Sequence, residues 1–142
     1  MTIGIIIHSK TGHTLQVAEQ LKASLSKVGR PASLVRIEDR PNFDSFDTLV
    51  LGSHTEGFAL AQEMTAYLNA LPANALSQKK TALLITHAFP LHGMGGSQAM
   101  AGLKKIAEKH GANVISEEII DWSRPGRDRQ IEAAVGKMTQ RL

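Results

Sequence analysis

Cysteine is absent from the 142 residues. Disulfides, thiolate-bound metals and cysteine nucleophiles are therefore excluded, and any redox chemistry must reside in a bound cofactor. Aromatic residues make up 4% of the chain, with a single Trp and a single Tyr. They do not alternate with basic residues in the way nucleic-acid modules require. No apolar run approaches the ~20 residues of a membrane span. Ile3–Ile7 is too short for a signal-peptide core, and no small-residue cleavage site follows it. The expectation is a cytoplasmic protein with neither a membrane nor a nucleic-acid partner. Charge of one sign is only slightly in excess, 16 Lys and Arg against 13 Asp and Glu. Repeats, low-complexity segments and interdomain linkers are also missing, so 1–142 reads as one domain with a sizeable core.

What is present is organised around residues 3–21. Ile3, Ile5, Ile6 and Ile7 form a β-branched run suited to a strand buried on both faces. Ser9-Lys10-Thr11-Gly12-His13-Thr14 follows, rich in hydroxyls around one glycine. Leu15, Ala18, Leu21, Leu25 and Val28 then recur at helical spacing. The first turn of a helix has backbone N–H groups without intrahelical partners and a partial positive charge, and both stabilise an anion. Ser9, Thr11 and Thr14 add hydroxyl donors, and the loop lacks the lysine-and-magnesium pattern of triphosphate sites. A single phosphate fits it. The same residue types also make plain turns and helix caps, but strand, loop and helix in register favour the ligand.

Further along, strands are expected at 32–38, 48–52, 81–86 and 114–120. Helices are expected from Gly57 onward, around Met100–Ala107 and from Ile131 to Leu142. Five strands joined by crossovers predict a doubly wound parallel α/β sheet of order 2-1-3-4-5 with helices on both faces. A ligand should then sit at the carboxyl ends of strands 1, 3 and 4, in the loops Ser9–Thr14, Ser53–Phe58 and Thr86–Gly96.

The first of these loops resembles the phosphate-binding loop of the flavodoxin family, Ser/Thr-x-Thr-Gly-x-Thr, matched by Ser9, Thr11, Gly12 and Thr14. The resemblance implies the flavodoxin-like fold and flavin mononucleotide (FMN) as cofactor. It further implies that Ser53, His54, Thr55, Glu56, Gly57 and Phe58 lie beside the isoalloxazine. There Gly57 would permit the peptide reorientation known in the family, while Glu56 stands where the family often has an aromatic. Phe58, one step on, either replaces that aromatic or packs in the core. The third loop, with Thr86, His87, Ala88, Phe89, Gly93, Gly95 and Gly96, resembles the family's backbone contacts to the pyrimidine end of the flavin. A dinucleotide fingerprint at Gly93–Gly96 fails on spacing, because Gln98 occupies the third glycine position.

His13, His54, His87 and His92 all fall in these loops, yet no His-x-His or His-x-x-x-His pair occurs and Glu56 is the one carboxylate among them. No metal is expected; cofactor hydrogen bonds, solvent exposure or proton donation to a quinone-like substrate are the roles left for them. His8 reads as a near-core residue. Trp122 either covers the flavin rim or packs beneath its own loop, and Arg124 and Arg127 either meet a phosphate or an acidic partner or form a solvated turn. Ser9, Ser53 and Ser97 lack a nucleophile-elbow pattern, and no catalytic residue is assigned. Three functions follow: an electron carrier between protein partners, an NAD(P)H-dependent quinone-type reductase, or a flavin-free binding module. The carrier is preferred over a dedicated oxidoreductase, as monomer or homodimer.

Overall fold

The computed structural model describes residues 2–88 and 94–142, with Met94 and Gly95 described by their backbone alone. Strand β1 (Ile3–His8) is followed by helix α1 (His13–Lys27), β2 (Ala32–Arg36), β3 (Thr48–Glu56), β4 (Ala59–Leu60), α2 (Gln62–Asn69), β5 (Lys80–His87), α3 (Met94–Lys109), β6 (Asn113–Asp121) and α4 (Arg127–Arg141). The five long strands pair in parallel in the order β2-β1-β3-β5-β6. This is the expected doubly wound order. The two-residue β4 is an addition, pairing antiparallel with the end of β3.

Alternation along the central strands assigns the two faces of the sheet. Ile5, Ile7, Val50 and Leu84 pack with Val17, Leu21 and Leu25 of α1 and Ile131, Val135 and Met138 of α4. Ile6, Leu49, Leu51, Leu83 and Ile85 pack with Met64 and Leu68 of α2 and Met100 and Leu103 of α3. The near-continuous apolar runs of these strands follow from that two-sided burial. The buried stripe of α1 is Thr14, Val17, Ala18, Leu21 and Leu25. Leu15 is only partly buried and Val28 is 54% exposed, so the stripe is rotated from the one read off the sequence. The helix stops at Gly29, whose φ is +75°. Its N–H and that of Arg30 close a Schellman motif on the carbonyls of Ser26 and Leu25.

Several boundaries at the carboxyl edge differ from expectation, β2 for one ending at Arg36 and not Glu38. Strand β3 runs on to Glu56, so Ser53, His54, Thr55 and Glu56 are strand residues, not a loop. Gly57 (φ +60°) and Phe58 then form a two-residue hairpin turn, of the type that needs glycine at its first position. Helix α2 accordingly starts at Gln62 instead of Gly57, its first N–H donating to Glu56 Oε1 at 3.2 Å. Thr86 and His87 likewise belong to β5. Gly95 and Gly96 lie in the first turn of α3, not ahead of it. Phe89, His92 and Gly93 of the third loop lie outside the described residues. Among the described residues, no helix is long and apolar enough to cross a membrane.

Candidate functional site

The carboxyl ends of β1, β3 and β5 bring Thr11, His13, His54, Thr55, Thr86, His87 and Ala88 around a cavity of about 140 Å³. A larger hollow of about 550 Å³, between Pro41–Asp44 and Leu71–Ala75, precedes β3 and β5 at the opposite edge of the sheet. Ligands of doubly wound sheets bind at the carboxyl edge, where the smaller cavity gathers the convergent polar groups. The smaller cavity is the candidate site.

Its wall on the β1 side is the start of α1. Gly12 caps that helix at φ +91° with no side-chain hydrogen bond, a conformation only glycine adopts freely. The first-turn amides are thus left for an anion. Ser9 Oγ accepts one of them weakly, from Leu15 N–H at 3.4 Å, and Arg36 Nη1 holds the loop by donating to the Ser9 carbonyl at 3.2 Å. Thr11 is exposed and lines the cavity. Thr14 differs from its expected role as a free donor. It is fully buried, and its hydroxyl pairs with that of Thr86 at 2.9 Å, tying the first turn of α1 to β5. Lys10 turns away from the cavity, its Nζ 3.2 Å from Glu63 Oε1 and 3.9 Å from Glu56 Oε1.

The histidines expected here separate into distinct environments. His54 Nδ1 lies 3.1 Å from the Thr55 carbonyl. A carbonyl can only accept, so Nδ1 carries the proton and Nε2 of the neutral ring is a bare acceptor. That Nε2 is buried without a partner, as is Nδ1 of His87, whose ring is 4% exposed. An orphaned buried ring nitrogen costs about 1–3 kcal/mol until something meets it. Two such atoms from residues lining one cavity fit a ligand whose ring carries both donors and acceptors, as flavin does. Gly96 packs against this wall, where an added Cβ would come within 2.9 Å of His87 Cδ2. Phe58 is 40% exposed at the hairpin tip, which rules out the core role.

His13 lies flat against Trp122, with ring centroids 4.2 Å apart and planes 11° from parallel. Burial first, and then the Arg127 guanidinium, hold its pKa below the ordinary histidine value. Trp122 follows β6, packs partly against the core under α1 and α4, and donates its backbone N–H to the His87 carbonyl at 2.6 Å. Trp122 thus packs partly beneath its own loop, against His13 and Arg127. Arg124 pairs through Nε with Asp121 Oδ2 at 3.1 Å. Burial works against the Asp121 carboxylate. The Ser123 hydroxyl and backbone N–H, helped by His87 and Arg124, outweigh it and lower the pKa.

One cluster had no signal in the sequence. His8, 2% exposed, has Nδ1 3.0 Å from Glu38 Oε1 and Nε2 3.2 Å from Glu63 Oε2, the second contact out of line for a hydrogen bond. Burial alone would raise Glu38. Its own backbone N–H and its hydrogen bond to His8, with the charges of His8 and Arg36, bring it below its usual value. Among the described residues these are the three metal-capable side chains whose ligand atoms lie within 4.8 Å of one another. The two carboxylates approach the ring from opposite nitrogens. Glu38 and Glu63 come from elements after β2 and β4, so only the fold brings them to His8.

The profile of the flavodoxin domain matches residues 4–122. The structure is similar to that of two-electron reduced flavodoxin from Megasphaera elsdenii, at 25% identity and a TM-score of 0.72, covering 95% of this chain and 98% of that one. It is also similar to oxidised Flavodoxin 1 from Bacillus cereus, at 17% identity and a TM-score of 0.77, covering 99% and 96%. An NADH:FMN oxidoreductase matches at 17% identity and a TM-score of 0.74, covering 99% and 89%. No curated protein sequence matches the chain. With the phosphate loop, the strand order and the domain profile in agreement, the chain belongs to the flavodoxin family, whose cofactor is FMN.

Proposed function

We propose that the protein is an electron carrier that binds one FMN at the carboxyl edge and passes electrons between protein partners. The observation that carries this reading is the uncapped start of α1 beside a cavity lined by His54 and His87, each of which has a buried ring nitrogen without a partner. FMN, when bound, supplies the reversible electron uptake that the cysteine-free chain lacks. The chain's part is to bind and orient it. The Ser9–Thr14 loop would take the phosphate through its amides and the Thr11 hydroxyl. His54 Nε2 would accept a hydrogen bond from the ring, and buried His87 and Thr86 would exclude water behind it.

Shape favours the carrier over the reductase. The hairpin at Gly57–Phe58 has a two-residue turn, so β3 and β4 build little wall for a second substrate. A net charge of +3 suits an acidic partner surface, and association with such a partner should slow as salt is added. The test is titration of the purified protein with FMN, followed by anaerobic addition of NADH and NADPH. A yellow complex with one FMN per chain, bleached only sluggishly by either nicotinamide but quickly by a reduced protein donor, is the expected result. Rapid bleaching by a nicotinamide would replace the carrier with the reductase. Failure to take up FMN would overturn both.

A further inference from the structure

Two helices start at the carboxyl edge in the same way, and both reach one ring. Gly12 precedes α1 at φ +91° and Gly126 precedes α4 at φ +81°, each without a side-chain cap. The first residue after each glycine contacts Trp122. His13 stacks on the ring at 4.2 Å, and the Arg127 guanidinium carbon lies 4.8 Å from its centroid. The tryptophan is anchored independently by its backbone bond to His87 on β5. Trp122 therefore joins the phosphate-loop helix, the neighbouring strand end and α4, and it brings a permanent cation close to the loop. Arg127 Nε is itself buried without a hydrogen-bond partner, and the guanidinium lies over the Trp122 ring.

We propose that the His13–Trp122–Arg127 column positions the phosphate loop and thereby sets the preference of the site for a phosphorylated flavin over an unphosphorylated one. The mechanism is mechanical and electrostatic. His13 is the first residue of α1, so fixing its ring fixes the turn whose amides face the anion. Residue 13 is the variable position of the loop motif, which leaves its side chain free to be used outward in this way. Arg127 adds charge that the loop itself lacks, since Lys10 is committed to Glu56 and Glu63. That guanidinium is electrostatically coupled to His13, whose pKa it helps to lower. Trp122 and His13 are positioning residues here, with no contact to the reacting ring required.

The inference rests on FMN being the ligand, and the experiment separates the two. Dissociation constants for FMN and for riboflavin are measured for the wild type and for Trp122→Leu, Trp122→Phe and Arg127→Gln, with circular dichroism to check folding. A stacked aromatic pair corresponds to about a three- to tenfold change in affinity, which is the loss expected for FMN in Trp122→Leu. Riboflavin should change by less than a factor of about two, because it has no phosphate to misplace. Trp122→Phe should restore most of the FMN affinity. Arg127→Gln should weaken FMN selectively and flatten its dependence on salt. Equal losses for both flavins, or none, in a folded variant overturn the column's role. Should Trp122→Leu not fold, Arg127→Gln decides, and unchanged FMN-to-riboflavin selectivity in it overturns the proposal. A wild type that binds neither flavin would instead overturn the FMN reading.

Discussion

The starts of α1 and α4 share a backbone and differ in what surrounds it. Both follow the carboxyl end of a strand, and both are led by a left-handed glycine without a side-chain cap. Around α1 stand Ser9, Thr11 and Thr14, and its first-turn amides border the cavity. Around α4 stand Arg124, Arg127, Asp128 and Arg129, lining an open groove instead. The comparison teaches that a free helix start is not enough to make a site. Under the proposed function, the Ser9 and Thr11 hydroxyls and an adjoining cavity built from two other strands are what suit one of the pair to a phosphate. The other contributes its first side chain to a shared ring. Helix dipole and bare amides are common to both and cannot account for the difference.

The comparison breaks most decisively at the hydroxyls. Replacing Thr11 and Thr14 together by alanine should weaken FMN by roughly ten- to a hundredfold, the scale of one lost hydrogen bond to a charged group, while riboflavin loses far less. Equal losses, by fluorescence titration, would remove the phosphate from the start of α1. Because Thr14 pairs with Thr86 in the core, this variant should also unfold at lower denaturant. Thr11→Ala alone should leave stability unchanged and so isolates the binding effect. The glycines sharpen the pairing next. Gly12→Ala and Gly126→Ala place a Cβ in the left-handed region at similar φ, and each should cost about 1–2 kcal/mol in denaturant unfolding. Only Gly12→Ala should also lower FMN affinity. If Gly126→Ala lowers it equally, the two helix starts are functionally equivalent.

The smallest expected effect is a titration. His13 has its pKa lowered from 6.5 by burial and by Arg127. A proton then binds the unfolded chain more readily than the folded one. The contribution to stability is present above pH 6.5, and it is lost as the pH falls from there through the folded value. His54 on β3 and His87 on β5 line the same cavity, so the test compares the wild type with Arg127→Gln. Removing the guanidinium should move the His13 resonance, followed by NMR, back toward the ordinary histidine range. A resonance that does not move would mean that Arg127 and His13 are not coupled.

Much of the fold was legible because its signals are local. The isoleucine run, the hydroxyl–glycine loop and the apolar spacing after Thr14 each speak for a few adjacent residues, and right-handed crossovers convert that series into a strand order. The errors cluster at the carboxyl edge. The sequence reads as a helix opening at Gly57 because a glycine before an apolar stripe does not disclose whether another strand will pair beside it. The antiparallel pairing of Thr55 with Leu60 extends β3 through residues that look like a loop. Thr14 matched the loop motif, but that motif cannot say whether its hydroxyl turns toward a ligand or toward Thr86.

By itself, then, the order of residues determined the doubly wound class and the flavodoxin resemblance, and it marked the first strand–helix junction as the candidate phosphate site. These depend on periodicity and short-range backbone chemistry, which are written within a dozen neighbouring positions. Only the tertiary structure decided that His8 meets Glu38 and Glu63, that Thr14 faces inward, and that His13 and Arg127 converge on Trp122. Those contacts join residues from separate strands and helices. Their partners are selected by sheet register and helix packing, which no single stretch of the chain encodes.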